Sequence, residues 1–175
     1  MVLYLVESEI QELGIEQIKE SIEHISQLIA PDAGKVVEVQ VGEDLKRLFI
    51  VVDADNQESA KNSIEHAGFP VHLLKEVRLI GQDLVTLSKR KAKANYLVEW
   101  NLPPGLTMEL YLARKAEKTP LYEQIPSVQF ERTYVCEDLS KCLCFYDSPN
   151  EVTVKQARDI VSAPIDRLTP IQNLY

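Results

Sequence analysis

The first half of the chain shows a pattern of apolar and polar residues that predicts four strands and two helices. Apolar residues recur at three- and four-residue spacing from Ile15 to Ile29, which is typical of an amphipathic helix. Residues 48–52 form a nearly continuous apolar run, as expected for a central strand. In chain order, the predicted elements are a strand at residues 4–8, a helix at 15–29, strands at 36–41 and 48–52, a helix from its N-cap Asn56 to Gly68, and a strand at 73–80.

The second half of the chain repeats this pattern with some of the same residues. A constant offset across a hairpin, a helix and a final turn is hard to obtain by chance, so the sequence predicts a tandem duplication. The repeated residues are Tyr96-Leu97-Val98-Glu99 against Tyr4-Leu5-Val6-Glu7 at an offset of 92, and Glu137, Asp138, Leu139, Asp147, Asn150, Lys155, Pro164 and Leu168 against Glu43, Asp44, Leu45, Asp53, Asn56, Lys61, Pro70 and Leu74 at an offset of 94.

The order β-α-β-β-α-β in each half is that of a ferredoxin-like unit. Such a unit covers only one face of its sheet with helices, so two units in one chain can cover each other. We therefore expect an α+β protein in which two tandem ferredoxin-like repeats pack sheet to sheet as an intrachain pseudo-dimeric α/β barrel, with room for a small ligand between the sheets. The predicted domains are residues 1–83 and 95–175.

A basic run at residues 88–93 lies between the predicted repeats. Its positive charge would suit an anion-binding patch, but short charge blocks are usually solvated. Because the run falls between two repeats, we interpret residues 84–94 as a basic linker.

The period-two alternation of the strands places polar side chains on the face away from the helices. Val37, Val39 and Val41 are expected on the helix-packed face, which leaves Val36 and, at the same offset, Phe130 on the other face. The polar residues predicted there form the candidate ligand-binding set: Glu7, Glu38, Glu99, Arg132 and Tyr134. Paired carboxylates can share a proton, bind a cation or be neutralised by arginine. The alternative is that these glutamates are solvated or form ordinary cross-strand ion pairs.

Composition narrows the class of partner. The formal net charge is −8, whereas nucleic-acid binders normally present a basic face, so no nucleic-acid partner is expected. No apolar run is long enough to span a bilayer, so no membrane partner is expected. The three cysteines are clustered, odd in number and without CxxC spacing, which indicates reduced thiols in a cytoplasmic protein. Exposed strand edges leave a homo-oligomer open.

Cysteine and histidine spacing provides no local metal motif. Cys142 and Cys144 lie two residues apart on a strand and face the same way, and their counterparts Leu48 and Ile50 are apolar, so core packing is favoured over a soft-metal site. None of the three histidines makes an HxH, HxxxH or HExxH spacing. Surface or capping roles are expected for His24, His66 and His72.

The second half resembles a family of small bacterial ferredoxin-like proteins, most of unknown function, that includes a nickel-binding member forming a dimeric α/β barrel. The resemblance implies that fold and leaves a divalent metal such as nickel as a candidate cofactor. Where the family commonly has histidines, this chain has Arg132 and Gln156, with Glu38 and Ser63 in the first half. Arginine stays protonated and cannot replace an imidazole ligand, so nickel ligation does not transfer residue by residue. The segments that carry the resemblance are 95–100, 104–107, 128–135, 144–149, 154–158 and 163–168, and more faintly Tyr4-Leu5-Val6-Glu7 and Ala67-Gly68-Phe69-Pro70-Val71.

Three functions are compatible with this pattern. The favoured hypothesis is a module that binds a small molecule or a metal ion through the candidate ligand-binding set. The second is a structural or protein-interaction module with a packed interior. The third is an enzyme in which Glu99 acts as a base or Arg132 stabilises an oxyanion. Fold alone cannot choose among them.

Overall fold

A computed structural model describes residues 2–89 and 94–175 of the chain. It contains eight strands: β1 (Val2–Glu9), β2 (Lys35–Gly42), β3 (Arg47–Ala54), β4 (Leu73–Ile80), β5 (Tyr96–Asn101), β6 (Gln129–Cys136), β7 (Lys141–Asp147) and β8 (Arg167–Asn173). The helices in the described residues are α1 (Ile15–Ile29), α2 (Gln57–His66), α3 (Leu84–Lys89), α4 (Met108–Lys118) and α5 (Glu151–Ile160). Short 3-10 helices at Ala30–Asp32 and Thr119–Gln124 follow α1 and α4.

The strands follow the hydrogen-bonded order β1-β3-β2-β8-β5-β7-β6-β4, the order of an eight-stranded antiparallel barrel. The described chain divides into two compact units. The first unit runs to Val77 and includes Ile171–Tyr175, and the second unit comprises Arg78–Pro170.

In the first unit, β1 pairs antiparallel with both β3 and β4, and β2 pairs with β3. The helices α1 and α2 cover one face of these strands with an apolar core. Isoleucines at three- and four-residue spacing make up the buried stripe of α1, as the sequence predicts. The core comprises Ile18, Ile22, Ile25 and Ile29 of α1 with residues such as Tyr4, Val6, Leu48, Ile50 and Ile64.

The second unit repeats this arrangement, with β5 paired to β7 and β8, and β6 paired to β7. Element bounds confirm the duplication. The offset of 94 relates three pairs of elements. It relates β2 (Lys35–Gly42) to β6 (Gln129–Cys136), the first residue of β3 (Arg47) to that of β7 (Lys141), and α2 (Gln57–His66) to α5 (Glu151–Ile160). Helix N-caps repeat as well: Asn56 accepts a hydrogen bond from the Ser59 amide and Asn150 accepts one from the Thr153 amide, both at 2.9 Å.

A β-bulge in β2 and another in β6 correct the predicted faces of two residues. The register shifts between Val36 and Glu38, and again between Phe130 and Arg132. The extra residue reverses the alternation, so Val36 and Phe130 pack with the helix-side cores, whereas Val37 is half-buried outside them. The predicted positions of Val36, Val37 and Phe130 were therefore wrong.

The basic segment between the repeats is only partly described. Leu84–Lys89 form α3, and Asp83 accepts hydrogen bonds from the amide and hydroxyl of Thr86 at its start. Residues 90–93, which carry most of the basic run, lie outside the described residues. The linker at 84–94 and the domain bounds 1–83 and 95–175 stay predictions.

Candidate functional site

A small cavity in the second unit is lined by cations and aromatic rings. Its volume is about 40 Å³, taken as the space open to the centre of a water molecule. That is room for roughly three waters, or for a tetrahedral oxyanion. The polar and aromatic lining residues are Trp100 of β5, Tyr111, Arg114, Lys115 and Lys118 of α4, Thr119 and Tyr122 of the following 3-10 helix, Cys144 of β7 and Arg158 of α5.

Arg158 is the most deeply buried cation of this cavity, with 2% of its surface exposed. It lies on the face of α5 that also buries Val154 and Ala157, so the helix carries its side chain into the core. Its Nη1 donates to the Tyr146 hydroxyl at 3.2 Å, and its Nη2 donates to the Pro164 carbonyl. Its Nε has no hydrogen-bond partner in the described chain.

Three further cations of the cavity, Arg114, Lys115 and Lys118, come from one face of α4. The guanidinium of Arg114 lies 5.5 Å from the centre of the Trp100 ring, and that of Arg158 lies 5.8 Å from it. The ammonium of Lys115 lies 4.5 Å from the centre of the Phe130 ring. This face of α4 is formed by residues at the three- and four-residue spacing of a helical turn, namely Tyr111, Arg114, Lys115 and Lys118.

No carboxylate is among the lining residues. Within residues 2–89 and 94–175, Arg114, Lys115 and Arg158 make no ion pair, and Lys118 reaches only the exposed Glu117 at 4.0 Å. The cavity therefore carries an excess of positive charge.

A cluster of tyrosines lies beside the cavity, and two of its members, Tyr111 and Tyr122, line it. The hydroxyls of Tyr122 and Tyr146 lie 2.7 Å apart, and Phe130 stacks on the Tyr122 ring. Burial raises the pKa of Tyr122 to about 12 and raises that of Tyr146 well above its ordinary value. Burial also raises the pKa of Tyr111, whose hydroxyl lies beside Cys142 and makes no well-formed hydrogen bond to any described residue. These phenols stay neutral at physiological pH.

Cys144 brings a thiol to the edge of the cavity. Its sulfur accepts a hydrogen bond from the Thr133 hydroxyl at 3.2 Å. A hydrogen bond from Cys142 and the positive charges of Lys115 and Arg158 lower the pKa of Cys144 well below its ordinary value, although burial opposes this shift. For Arg158, burial would lower the pKa, but Cys144 and Tyr146 raise it above the ordinary value, so the guanidinium stays charged.

Four buried positions that carry polar groups in and beside the cavity hold apolar side chains in the first repeat. At the offset of 94, Arg158 corresponds to Ile64, Cys144 to Ile50 and Tyr146 to Val52. Tyr111 and Ile18 are each the fourth residue of their helices. These apolar residues are fully buried in the core of the first unit. The same region of the fold is therefore filled by apolar side chains in the first repeat and contains a cationic cavity in the second.

The predicted residues Glu7 and Glu99 form equivalent ion pairs in the two units. Glu7 pairs with Arg47 at 3.2 Å, and Glu99 pairs with Lys141 at 2.8 Å. Each cation lies on the neighbouring strand, two residues from the position opposite the glutamate. Both carboxylates are thus held by a cross-strand cation.

The other three predicted residues are also buried. Glu38 is 2% exposed, Arg132 is 1% exposed and Tyr134 is fully buried. In the second unit, the Arg132 guanidinium lies 4.8 Å from the centre of the Phe145 ring, which also meets the Tyr134 ring edge to face. Glu7 and Glu38 belong to the first unit, and the remaining three belong to the second. Their ligand-binding role stays a prediction.

The sequence reasoning missed the cavity residues, although a signal was present. Comparing the repeats at the offset of 94 sets a charged residue, Arg158, against the isoleucine at position 64. A charge at a core position of an amphipathic helix indicates either a functional group or a specific partner. Arg114 and Lys115 gave no such signal, because charges on α4 are ordinary for a solvated helix face. The expected core packing of Cys142 and Cys144 is confirmed, and Cys144 also borders the cavity.

The described residues do not fit a nickel site. No group of three or more His, Cys, Asp or Glu side chains within this part of the chain is arranged to hold a metal ion. The cations around Cys144 would also oppose a bound divalent cation.

Comparison with known proteins supports the resemblance in the second half. Residues 96–171 match the family described as "Nickel responsive protein SCO4226-like". The resemblance inferred from the sequence is confirmed over those residues. No curated protein matches the chain.

Solved structures share the fold. A candidate chlorite dismutase, TA0507, aligns with a TM-score of 0.59 at 9% identity, over 99% of this chain and 96% of its own. A candidate monooxygenase from Fusobacterium nucleatum aligns at 0.52 and 10% identity, over 99% of this chain and 92% of its own. Another from Lactobacillus acidophilus aligns at 0.50 and 9% identity, over 100% of this chain and 95% of its own. At such identities they show the fold alone, and they confirm the dimeric α/β barrel class.

Among the described residues, no helix is long and apolar enough to cross a membrane.

Proposed function

We propose that this chain is a small-molecule binding protein whose second repeat holds a small oxyanion, either an inorganic anion or the carboxylate of a small molecule. The observation that carries this proposal is Arg158, a buried guanidinium that faces the cavity with an unpartnered Nε and no carboxylate partner in the described chain.

Electrostatics favour an anion at this place. An isolated charge is costly to bury unless it is paired, and a guanidinium matches the geometry of an oxyanion through parallel N–H donors. The neighbouring Arg114 and Lys115 add positive charge without any described carboxylate to cancel it. Even with Cys144 as a thiolate, these three cations leave the cavity positive.

The protein supplies its own reporter of binding. Trp100 is the single tryptophan of the chain and has two guanidiniums over its ring. We expect its fluorescence to change in a saturable way when inorganic phosphate is titrated at constant ionic strength. Chloride at the same ionic strength is the control, and acetate in a parallel titration separates a carboxylate from an inorganic oxyanion.

Substitution of Arg158 tests the site. Arg158→Ile installs the residue of the first repeat, and replacing a buried charge by an apolar side chain is often tolerated by the fold. Loss of a charged hydrogen-bond donor is expected to weaken binding by about tenfold or more. The matched control is Lys155→Ala on the same helix, since Lys155 is exposed and pairs only with Glu151 in the described chain. If phosphate and acetate both leave the fluorescence unchanged, or if the Arg158 variant binds as tightly as the parent, the proposal is wrong.

The predicted set of Glu7, Glu38, Glu99, Arg132 and Tyr134 can be tested in the same titrations. Glu99 is supported as a functional group only by its burial and its pairing with Lys141. If Glu99→Gln binds the anion as tightly as the parent does, Glu99 is not part of the anion site in the second repeat. The family description supports metal binding, but the described donor residues do not fit nickel, and we base no proposal on it.

A further inference from the structure

We infer that Cys144 is a modification site of the cavity, where a small hydroperoxide oxidises its thiolate to a sulfenic acid. This inference goes beyond the proposed function, because it needs the cations of the cavity but not a bound anion.

The surroundings of Cys144 are those of a reactive cysteine. Reactive thiols lie in electropositive and partly accessible surroundings, whereas structural buried thiols are inert. Cys144 is buried, but it borders the cavity, and access is therefore limited to molecules small enough to enter it. The titratable and charged groups around the Cys144 sulfur come from four elements. They are Cys142 and Tyr146 of β7, Tyr111, Arg114, Lys115 and Lys118 of α4, Tyr122 of the 3-10 helix, and Arg158 of α5. All the permanent charges in this set are positive, and Thr133 donates a hydrogen bond to the sulfur.

The unpartnered groups of the cavity also point to a ligand. The Nε of Arg158 and the Tyr111 hydroxyl are buried without hydrogen-bond partners in the described chain, and both residues line the cavity with Cys144. Buried polar groups normally have a partner, either from the protein or from a bound molecule. Both can donate to an oxygen atom in the cavity.

Size selects the class of oxidant. Cys144 is 1% exposed, so a bulky electrophile cannot reach its sulfur from outside the folded chain. Hydrogen peroxide is little larger than water, and the cavity of about 40 Å³ holds molecules of that size.

The chemistry balances with peroxide as the only co-reactant. The Cys144 thiolate attacks one oxygen, so a sulfur–oxygen bond forms as the oxygen–oxygen bond breaks. Sulfur gives up two electrons and the second oxygen leaves as hydroxide. Arg158 and Lys115 stabilise that departing negative charge, and the hydroxide leaves for the solvent, where the acid form of the buffer protonates it to water. The sulfenic acid is reversible by thiols.

Cys136 is an internal control. It is buried in the same unit, but it does not line the cavity, and burial raises its pKa. The full-length, reduced protein is treated with hydrogen peroxide in an anion-poor buffer, and catalase then removes the excess peroxide. The protein is next unfolded in urea that contains dimedone, which traps sulfenic acids for quantification by peptide mass spectrometry. We expect Cys144 to be labelled at least about tenfold faster than Cys136, and Cys144→Ser to lose that label.

Two variants test the dependence on the cations. Arg158→Ile and Lys115→Met are each expected to slow labelling of Cys144 several-fold, whereas Lys155→Ala leaves it unchanged and Arg158→Lys restores most of it. In the parent, labelling of Cys144 should depend less on pH than labelling of Cys136, because Cys142 and the nearby cations lower the pKa of Cys144 whereas burial raises that of Cys136. A purely structural thiol at position 144 would show the pH dependence of Cys136.

Several results would overturn the inference. They are equal labelling of all three cysteines, oxidation that occurs only when urea is present during the peroxide treatment, preferential labelling of Cys142, or an unchanged rate in both cation variants. The assay contains neither phosphate nor acetate. Fast labelling of Cys144 in a protein that fails to bind either anion would therefore contradict the proposed function and leave this inference standing.

Discussion

Arg158 and Ile64 occupy the same helix position in the two repeats, and the difference between them changes the local chemistry. Isoleucine completes an apolar core, whereas arginine needs partners and finds the Tyr146 hydroxyl and the Pro164 carbonyl. Neighbouring positions changed with it, because Tyr146 and Cys144 replace Val52 and Ile50. A buried charge is tolerated only where its surroundings supply donors, acceptors or counter-charge.

Gly34 is a residue where a single methyl group should destabilise the fold. A Cβ there would lie 2.6 Å from Cγ1 of Ile29 and 3.0 Å from the Asp53 carbonyl oxygen. We expect Gly34→Ala to lower the free energy of unfolding by about 1–3 kcal/mol, as measured by urea denaturation, because core and backbone must shift.

Gly14→Ser is the control for this substitution. The nearest atom to its Cβ is 3.7 Å away, and serine is well accepted at a helix N-cap. Equal stability of Gly34→Ala and the parent would show that the loop before β2 adapts freely.

The hairpins and the helices after them are the elements that the duplication preserved best. The turn after β2 and the turn after β6 both place a leucine in the left-handed region, with φ of 58° at Leu45 and 57° at Leu139. An aspartate in each turn, Asp44 or Asp138, accepts a hydrogen bond from the amide two residues later at 3.0 Å. The sequence revealed this repetition, but it did not reveal the bulges in β2 and β6, because a bulge adds a residue without a distinctive side chain.

The N-cap of α5 gives a prediction at this scale. Asn150→Ala removes the acceptor for the Thr153 amide, and we expect a loss of about 1 kcal/mol in the free energy of unfolding. Asn150→Asp keeps an acceptor and should retain most of the stability. A loss in Asn150→Asp as large as that in Asn150→Ala would contradict a capping role.

At the scale of the whole molecule, the two compact units do not follow the repeats residue by residue. The last residues of the chain, Ile171–Tyr175, belong to the first unit, where they pair with β2. The Leu174 amide donates to the Val39 carbonyl at 2.9 Å, and Gln40 donates to the Asn173 side chain at 3.1 Å. The first unit therefore depends on the distant end of the chain.

Deletion of residues 171–175 tests this dependence. It removes the buried Ile171 and several hydrogen bonds along β2, so we expect the free energy of unfolding to fall by about 3 kcal/mol or more. Deletion of Tyr175 alone, which is 52% exposed, is the control and should change little. Similar stability of the two truncated chains in urea denaturation would show that the β8 pairing adds nothing to the first unit.

The sequence by itself determined the duplication, the order of strands and helices within each repeat, the N-cap Asn56 and the fold class. These follow from local periodicity, turn chemistry and a constant offset, all of which are written in neighbouring residues. It also placed Glu7, Glu38, Glu99, Arg132 and Tyr134 on the strands that bury them.

Only the tertiary structure decided which side chains meet. The cavity draws Trp100, Arg114, Cys144 and Arg158 from four elements that are far apart in sequence, and no local pattern joins them. The bulges reversed the faces of Val36 and Phe130, and cross-strand cations gave Glu7 and Glu99 their partners. Charge and burial depend on these long-range contacts, so the candidate site became visible only when the chain was folded.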